Sequence, residues 1–133
     1  MEVAGRVTGA IGPGLLLLRA EPAYTEALAG RLVDKLLKLR IFSDDAGKMN
    51  RSVQDVAGGL LIVSQFTLAA DVSGGNRPSF TGAAPRALGR ALYEAVLGLS
   101  HERHAAVQAG EFGADMQVHL VNDGPVTIPI TLR

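Results

Sequence analysis

The stretch Gly59-Leu-Leu-Ile-Val-Ser-Gln-Phe66 decides how the rest of the chain is read. A strand with one wet face alternates apolar and polar residues. This run is near-continuously apolar, which is the pattern of a strand buried on both faces. It then breaks into polar residues at Ser64-Gln65 and Thr67.

Leu15–Leu18, bounded by Gly14 and Arg19, reads as a second buried strand. With Gly12-Pro13-Gly14 as the turn, it forms an expected hairpin with a short strand over Arg6–Ile11. Thr25 to Leu39 carries Leu28, Leu32, Leu36 and Leu39 at helical spacing, with Val33 and Leu37 widening the stripe. Thr25 suits the N-cap, and Glu26, Lys35, Lys38 and Arg40 complement the helix dipole. Ser43–Lys48 reads as a turn. Beyond the central strand, Asp71–Ala84 is loop-like, and Pro85–Leu99 predicts a second amphipathic helix with Leu88, Leu92, Val96 and Leu99 inward. Asp115–Val121 alternates like a half-buried strand. Val126–Leu132 reads as the last strand, with Pro129 at an edge or bulge. The order ββ-α-ββ-α-ββ predicts an α+β fold, a mostly antiparallel β-sheet with two amphipathic helices packed on it.

The 133 residues suit one domain, with no internal repeat or linker. No apolar run approaches the roughly 18 residues of a membrane span. The N-terminus shows no basic region followed by an apolar stretch, so no secretory signal is visible. There are no cysteines, which excludes disulfides and thiolate zinc sites and fits a cytoplasmic protein. The 13 Lys and Arg balance 13 Asp and Glu. Bulk charge therefore gives no sign of a nucleic-acid partner, and any polyanion must be recognised locally.

Several familiar chemistries are absent. The glycines form neither G-x-x-x-x-G-K-[ST] nor a G-x-G-x-x-G between strand and helix. His101-Glu-Arg-His104 falls one residue short of the spacing that puts two imidazoles on one helical face. Ser64 lacks the G-x-S-x-G elbow that a Ser-His-Asp triad with His119 would suggest. Glu94, Glu102 and Glu111 show no paired-carboxylate spacing.

Two segments stand out. Ser64-Gln-Phe-Thr-Leu68 could be a strand end whose hydroxyls satisfy backbone groups. Val121-Asn-Asp-Gly-Pro-Val-Thr-Ile128 could be a plain turn. Yet its proline removes a ladder donor and stiffens a place where a hairpin prefers freedom. Either the turn is ordinary, or the main chain of Gly124-Pro125 is held rigid for a purpose.

Taken together, the two segments resemble the D-aminoacyl-tRNA deacylase family, which carries a Ser-Gln-x-x-Leu motif and an Asn-x-Gly-Pro-x-Thr motif. The resemblance continues through RIFSDDAGKMN (40–50), SQFTLAAD (64–71), RPSF (77–80) and FGADMQVHLVNDGPVT (112–127). It implies hydrolysis of the ester joining a D-amino acid to the 3′ end of tRNA. It further implies a homodimer in which a cis Gly124-Pro125 motif enters the partner's site and excludes an L side chain. Ser64, Gln65, Phe66 and Thr67 are then the catalytic-site residues, with main-chain N–H groups near Phe66-Thr67 facing the developing oxyanion. Asn122, Gly124, Pro125, Thr127, Met116 and Arg77 serve substrate binding and chiral selection. Arg77, Lys48 and Arg51 are candidate phosphate contacts.

The resemblance implies no cofactor, no metal and no membrane partner. It implies water attack assisted by the tRNA 2′-hydroxyl, since no base is visible beside Thr67. Glycine mischarged on tRNA(Ala) is a further expected substrate, because an achiral residue has no side chain to reject. Relatives usually begin with an additional strand of about a dozen residues, and MEVAGRVTG starts after it. The alternative class is a catalytically weak nucleic-acid-binding module of the same fold.

Overall fold

Leu60, Leu61, Ile62 and Val63 are all buried, and the remaining elements assemble around them. The computed structural model describes residues 1–19, 26–80, 86–123 and 126–130. In chain order the elements are β1 (Glu2–Val3), β2 (Arg6–Val7), β3 (Gly14–Arg19), α1 (Glu26–Lys38), β4 (Phe42–Ser43), β5 (Met49–Arg51), β6 (Gly59–Ser64), a 3-10 helix (Phe66–Ala69), α2 (Arg86–Arg103) and β7 (Val107–Ala109).

β6 lies between β3 and β7 and runs parallel to both. Gly14 pairs with Gly59 through to Arg19 with Ser64 on one side, and Leu60 with Val107 through to Ile62 with Ala109 on the other. Successive side chains of a strand point to opposite faces, and each face of β6 has its own cover. Leu60 and Ile62 join Ala29, Val33 and Leu37 of α1, Tyr93 and Val96 of α2, Val53 and Val107. Leu61 and Val63 meet Met1 on the other face, with Ile11, Leu16, Met116 and Val118 packed against them. The expectation of a strand buried on both faces holds.

Both predicted helices form. Of the stripe expected for α1, Val33, Leu36 and Leu37 are buried and Ala29 joins them, while Leu28, Leu32 and Leu39 are half-buried; Thr25, the expected cap, lies outside the described residues. α2 extends to Arg103, past the expected end at Leu99. Its buried face is Gly89, Leu92, Tyr93, Val96 and Ser100, while Leu88, expected inward, is exposed. The face is rotated because Tyr93 reaches the sheet: its hydroxyl donates to the Ile62 carbonyl at 3.1 Å. Ser100 satisfies its hydroxyl on the Val96 carbonyl at 2.7 Å, so a polar side chain is accommodated inside. Arg103 Nη1 meets Asp34 Oδ1 at 2.8 Å, tying the last residue of α2 to the interior of α1.

The expected predominance of antiparallel pairing is corrected by the central sheet, which is parallel. Antiparallel pairing among the described residues is confined to β1 with β2, β4 with β5, and the bridges Glu2–Gln117 and Asp71–Ser79. The expected hairpin is likewise absent: β2 pairs with β1, and β3 pairs with β6. Leu15–Leu18 of β3, expected to be buried, is half-buried at Leu15, Leu16 and Leu17 and 42% exposed at Leu18. The physical reason for the parallel arrangement is that β6 needs cover on two faces. Parallel pairing with α1 in the crossover supplies it.

Of the strand expected over Asp115–Val121, one antiparallel bridge remains, Gln117 with Glu2, closed by N–H···O contacts of 2.9 and 2.8 Å. Met116 and Val118 still point inward, whereas Leu120 is exposed. Residues 126–130 form no ladder with other described residues, and 131–133 lie outside them. Three residues, Val107–Ala109, form a strand that no alternation in the sequence announced.

Candidate active-site cleft

In sheets of parallel strands, ligand sites form outside the carboxyl ends, where the chain leaves each strand. β3, β6 and β7 share that end. β6 leaves the sheet at Ser64, turns at Gln65 and tightens into the 3-10 helix at Phe66–Ala69. β7 ends at Ala109, and Glu111–Met116 follows as a loop. The first turn of α2 closes the third side.

These segments enclose a cleft of about 570 Å³ lined by Ser64, Gln65 and Thr67, by Arg86 and Gly89, and by Phe112 through Met116 with Val118. That volume lies within the roughly 300–1,000 Å³ of small-molecule sites. Two hydroxyls, one side-chain amide, one guanidinium and one carboxylate face it, over a floor that is largely apolar.

Local chemistry sets each wall. The Gln65 side-chain amide donates to the Thr67 hydroxyl oxygen, so the two are coupled. In the 3-10 helix the first internal bond runs from the Leu68 N–H to the Gln65 carbonyl at 3.1 Å. The amides of Phe66 and Thr67 precede it and have no acceptor within the helix. On the opposite wall Met116 Sδ accepts from the Glu111 N–H at 3.3 Å. Phe112 packs on Tyr93 with ring centroids 5.7 Å apart. Gly113 has φ +74°, and a Cβ there would lie 2.6 Å from Arg86 Nη2 and 3.1 Å from its Cζ. The guanidinium therefore occupies the space a side chain at 113 would take.

The sequence-predicted residues divide. Ser64, Gln65, Thr67 and Met116 meet in this cleft, and the main chain of Phe66 lies in the 3-10 helix beside it. Asn122 and Thr127 are joined by an Nδ2–H···Oγ1 hydrogen bond of 2.9 Å, without lining the cleft. Gly124 and Pro125 lie outside the described residues. Arg77 is exposed in the loop closed by the Asp71–Ser79 bridge and does not line the cleft. Arg51 pairs with Asp45 at 3.2 Å, and Lys48 sits in an exposed turn. In the Arg77 loop, hydrogen bonds from the Ser73 hydroxyl and then its amide hold the Asp71 carboxyl below the usual range.

No histidine lines the cleft among the described residues: His119 faces Glu2 at 3.6 Å, and the His104 ring lies 2.7 Å from the Gly58 carbonyl. Sequence reasoning missed Arg86, Gly89, Phe112, Gly113 and Asp115 as site residues. Phe112 and Gly113 open a segment already singled out, but Arg86 carried no signal.

A cleft of this volume at the carboxyl ends of parallel strands, carrying hydroxyl, amide and main-chain donors, defines the class of a small-ligand site. The D-Tyr-tRNA(Tyr) deacylase family profile matches residues 1–131, and the chain belongs to that family. It is 68% identical to the D-aminoacyl-tRNA deacylase of Methylibium petroleiphilum over 99% of this chain and 88% of the relative. With the D-aminoacyl-tRNA deacylase of Variovorax paradoxus the identity is 65% over 99% and 91%. Among solved structures, the c-Myc DNA Unwinding Element Binding Protein is 39% identical with a TM-score of 0.89, over 96% of this chain and 87% of that one. A probable eukaryotic D-amino acid tRNA deacylase is similar in fold at 19% identity, with a TM-score of 0.73 over 86% and 83%.

Proposed function

We propose that this protein hydrolyses the ester bond of D-aminoacyl-tRNA, releasing the D-amino acid and the tRNA. The observation that carries the reading is the placement of Ser64, Gln65 and Thr67 in one cleft at the carboxyl end of β6, in a chain that matches its family over residues 1–131. The substrate's 3′-terminal nucleoside and aminoacyl ester occupy the cleft, with the ester carbonyl toward the amides of Phe66 and Thr67. These two donors, which have no acceptor among the described residues, stabilise the charge that develops when water attacks. The attacking water is assisted by the tRNA's own terminal 2′-hydroxyl, and the Thr67 hydroxyl, held by Gln65, positions the ester.

Chirality is read by main chain. In this reading Gly124-Pro125, with a cis bond, enters the cleft of a partner subunit in a homodimer and leaves no room for an L side chain. Three observations support a second copy. Asn122 and Thr127 do not line their own chain's cleft, Val121 beside them is 94% exposed, and Leu120 is 58% exposed. Arg77, exposed in the loop closed by the Asp71–Ser79 bridge, serves in this reading as a phosphate contact for the tRNA. Glycine on tRNA(Ala) is accepted because nothing on its Cα is excluded, and the protein works in the cytoplasm, where charged tRNA is found. Among the described residues no helix is long and apolar enough to cross a membrane.

A second reading, a nucleic-acid-binding module without hydrolysis, is favoured by the name of the 39%-identical structure, which describes binding to a DNA element. Hydrolysis of matched D-tyrosyl- and L-tyrosyl-tRNA separates the two. Cleavage of the D ester alone is expected. Cleavage of neither by folded protein overturns the deacylase reading.

A further inference from the structure

We propose that Arg86 binds the phosphodiester group that precedes the terminal nucleoside of the RNA substrate, and so sets how deeply the 3′ end enters the cleft. The proposal rests on the reading of the cleft as a site for a nucleic-acid 3′ end. Arg86 is the one cation among the described residues that line the cleft. It makes no hydrogen bond or ion pair with another described residue, and Asp115, the one acid on the same lining, lies beyond ion-pair distance.

A guanidinium with no partner among the described residues offers five donors in a planar fork suited to a phosphate. Its position is constrained by Gly113, where a Cβ would stand 2.6 Å from Nη2; the glycine leaves the guanidinium room against the wall. The chain has zero formal net charge, so attraction for an anion has to come from such local groups. A volume of about 570 Å³ accommodates a ligand of nucleoside size. The backbone that follows must leave at the rim, where Arg86 is exposed.

The test uses the purified full chain with Arg86→Ala and Arg86→Lys. Two esters are compared: D-tyrosyl-tRNA, and 3′-O-(D-tyrosyl)adenosine, which has no phosphate. Binding of a labelled ACCA tetranucleotide is followed against salt. In the Ala variant the loss of kcat/KM on the tRNA ester is expected to exceed the loss on the adenosine ester by about tenfold, and the log–log salt slope of binding should fall by about 0.7. Arg86→Lys should recover part of both, since an ammonium keeps the charge without the fork.

Equal loss on both esters, or no loss on either, overturns the proposal. If the wild-type chain cleaves neither ester yet binds ACCA with an Arg86-dependent salt slope, the deacylase reading falls and the phosphate contact stands. If it cleaves the D ester and the Ala variant matches it at every salt concentration, the reverse holds.

Discussion

The Asn122 side-chain amide donates to the Thr127 hydroxyl at 2.9 Å, tying together the two ends of the Asn-x-Gly-Pro-x-Thr motif. Both residues are exposed, so the bond contributes little to global stability. Its consequence is local: it fixes the span between the two flanks of Gly124-Pro125. Asn122→Ala and Thr127→Val should therefore shift unfolding free energy by no more than about 0.5 kcal/mol. They should lower the ratio of D- to L-tyrosyl-tRNA hydrolysis. Parallel rates on the two esters measure this, and an unaltered ratio in both variants would separate the motif's ends from chiral selection.

Thr67 accepts a hydrogen bond from Gln65 and faces no imidazole among the described residues. The Asp115 carboxylate shares the lining but makes no hydrogen bond to Thr67, and a hydroxyl with no base in hydrogen-bond contact is a weak nucleophile. Thr67→Ala should retain activity to within about 100-fold, the smallest loss expected when a true acid–base or nucleophilic group is removed. A larger loss in a folded variant would return the nucleophile role to Thr67.

Gly113 combines φ +74° with a close approach to Arg86. Gly113→Ala meets two obstacles, a left-handed backbone and a guanidinium in the way. It should cost about 1–2 kcal/mol of stability from the backbone alone and move Arg86 off the wall. Urea unfolding checks the first effect. Unchanged stability together with unchanged salt dependence of RNA binding would contradict the geometry.

Asp55 and Ser52 exchange hydrogen bonds: the Ser52 N–H donates to Asp55 Oδ2 at 2.8 Å, and the Asp55 N–H to Ser52 Oγ at 3.1 Å. The Ser52 amide, then its hydroxyl, hold the Asp55 carboxyl below its ordinary value of 3.8. Asp44 is lowered in the same way, chiefly by the Lys48 amide. With the folded value below the unfolded one, the stabilisation is complete above the unfolded value. It is lost as pH falls through the folded value, where the unfolded chain binds protons first. Asp55→Asn should give a shallower loss of unfolding free energy below about pH 4 than the wild type. A steeper loss would reverse the sign.

The helices were legible because 3.6-residue periodicity is a local property of Leu28 to Leu39 and of Leu92 to Val96, and each buries the face its pattern announced or one close to it. β6 was legible for the same reason, since four consecutive buried apolar residues leave it no wet face. The motif residues Ser64 to Leu68 and Asn122 to Thr127 pointed to the family because they match its Ser-Gln-x-x-Leu and Asn-x-Gly-Pro-x-Thr patterns, and the family profile matches residues 1–131.

Pairing and proximity were decided elsewhere. Nothing between Arg6 and Arg19 says that β3 passes over its neighbour β2 to lie parallel to β6. That choice belongs to the whole molecule, because both faces of β6 must be covered at once. Arg86 meets Gly113 only because α2 and the loop after β7 converge at the carboxyl ends of the sheet, and Met116 joins Ser64 for the same reason. By itself the sequence determined which segments are helices, which strand is central and to which family the motifs point. The tertiary structure decided which of those residues share a cleft, since contacts between distant segments follow from packing, which no local pattern encodes.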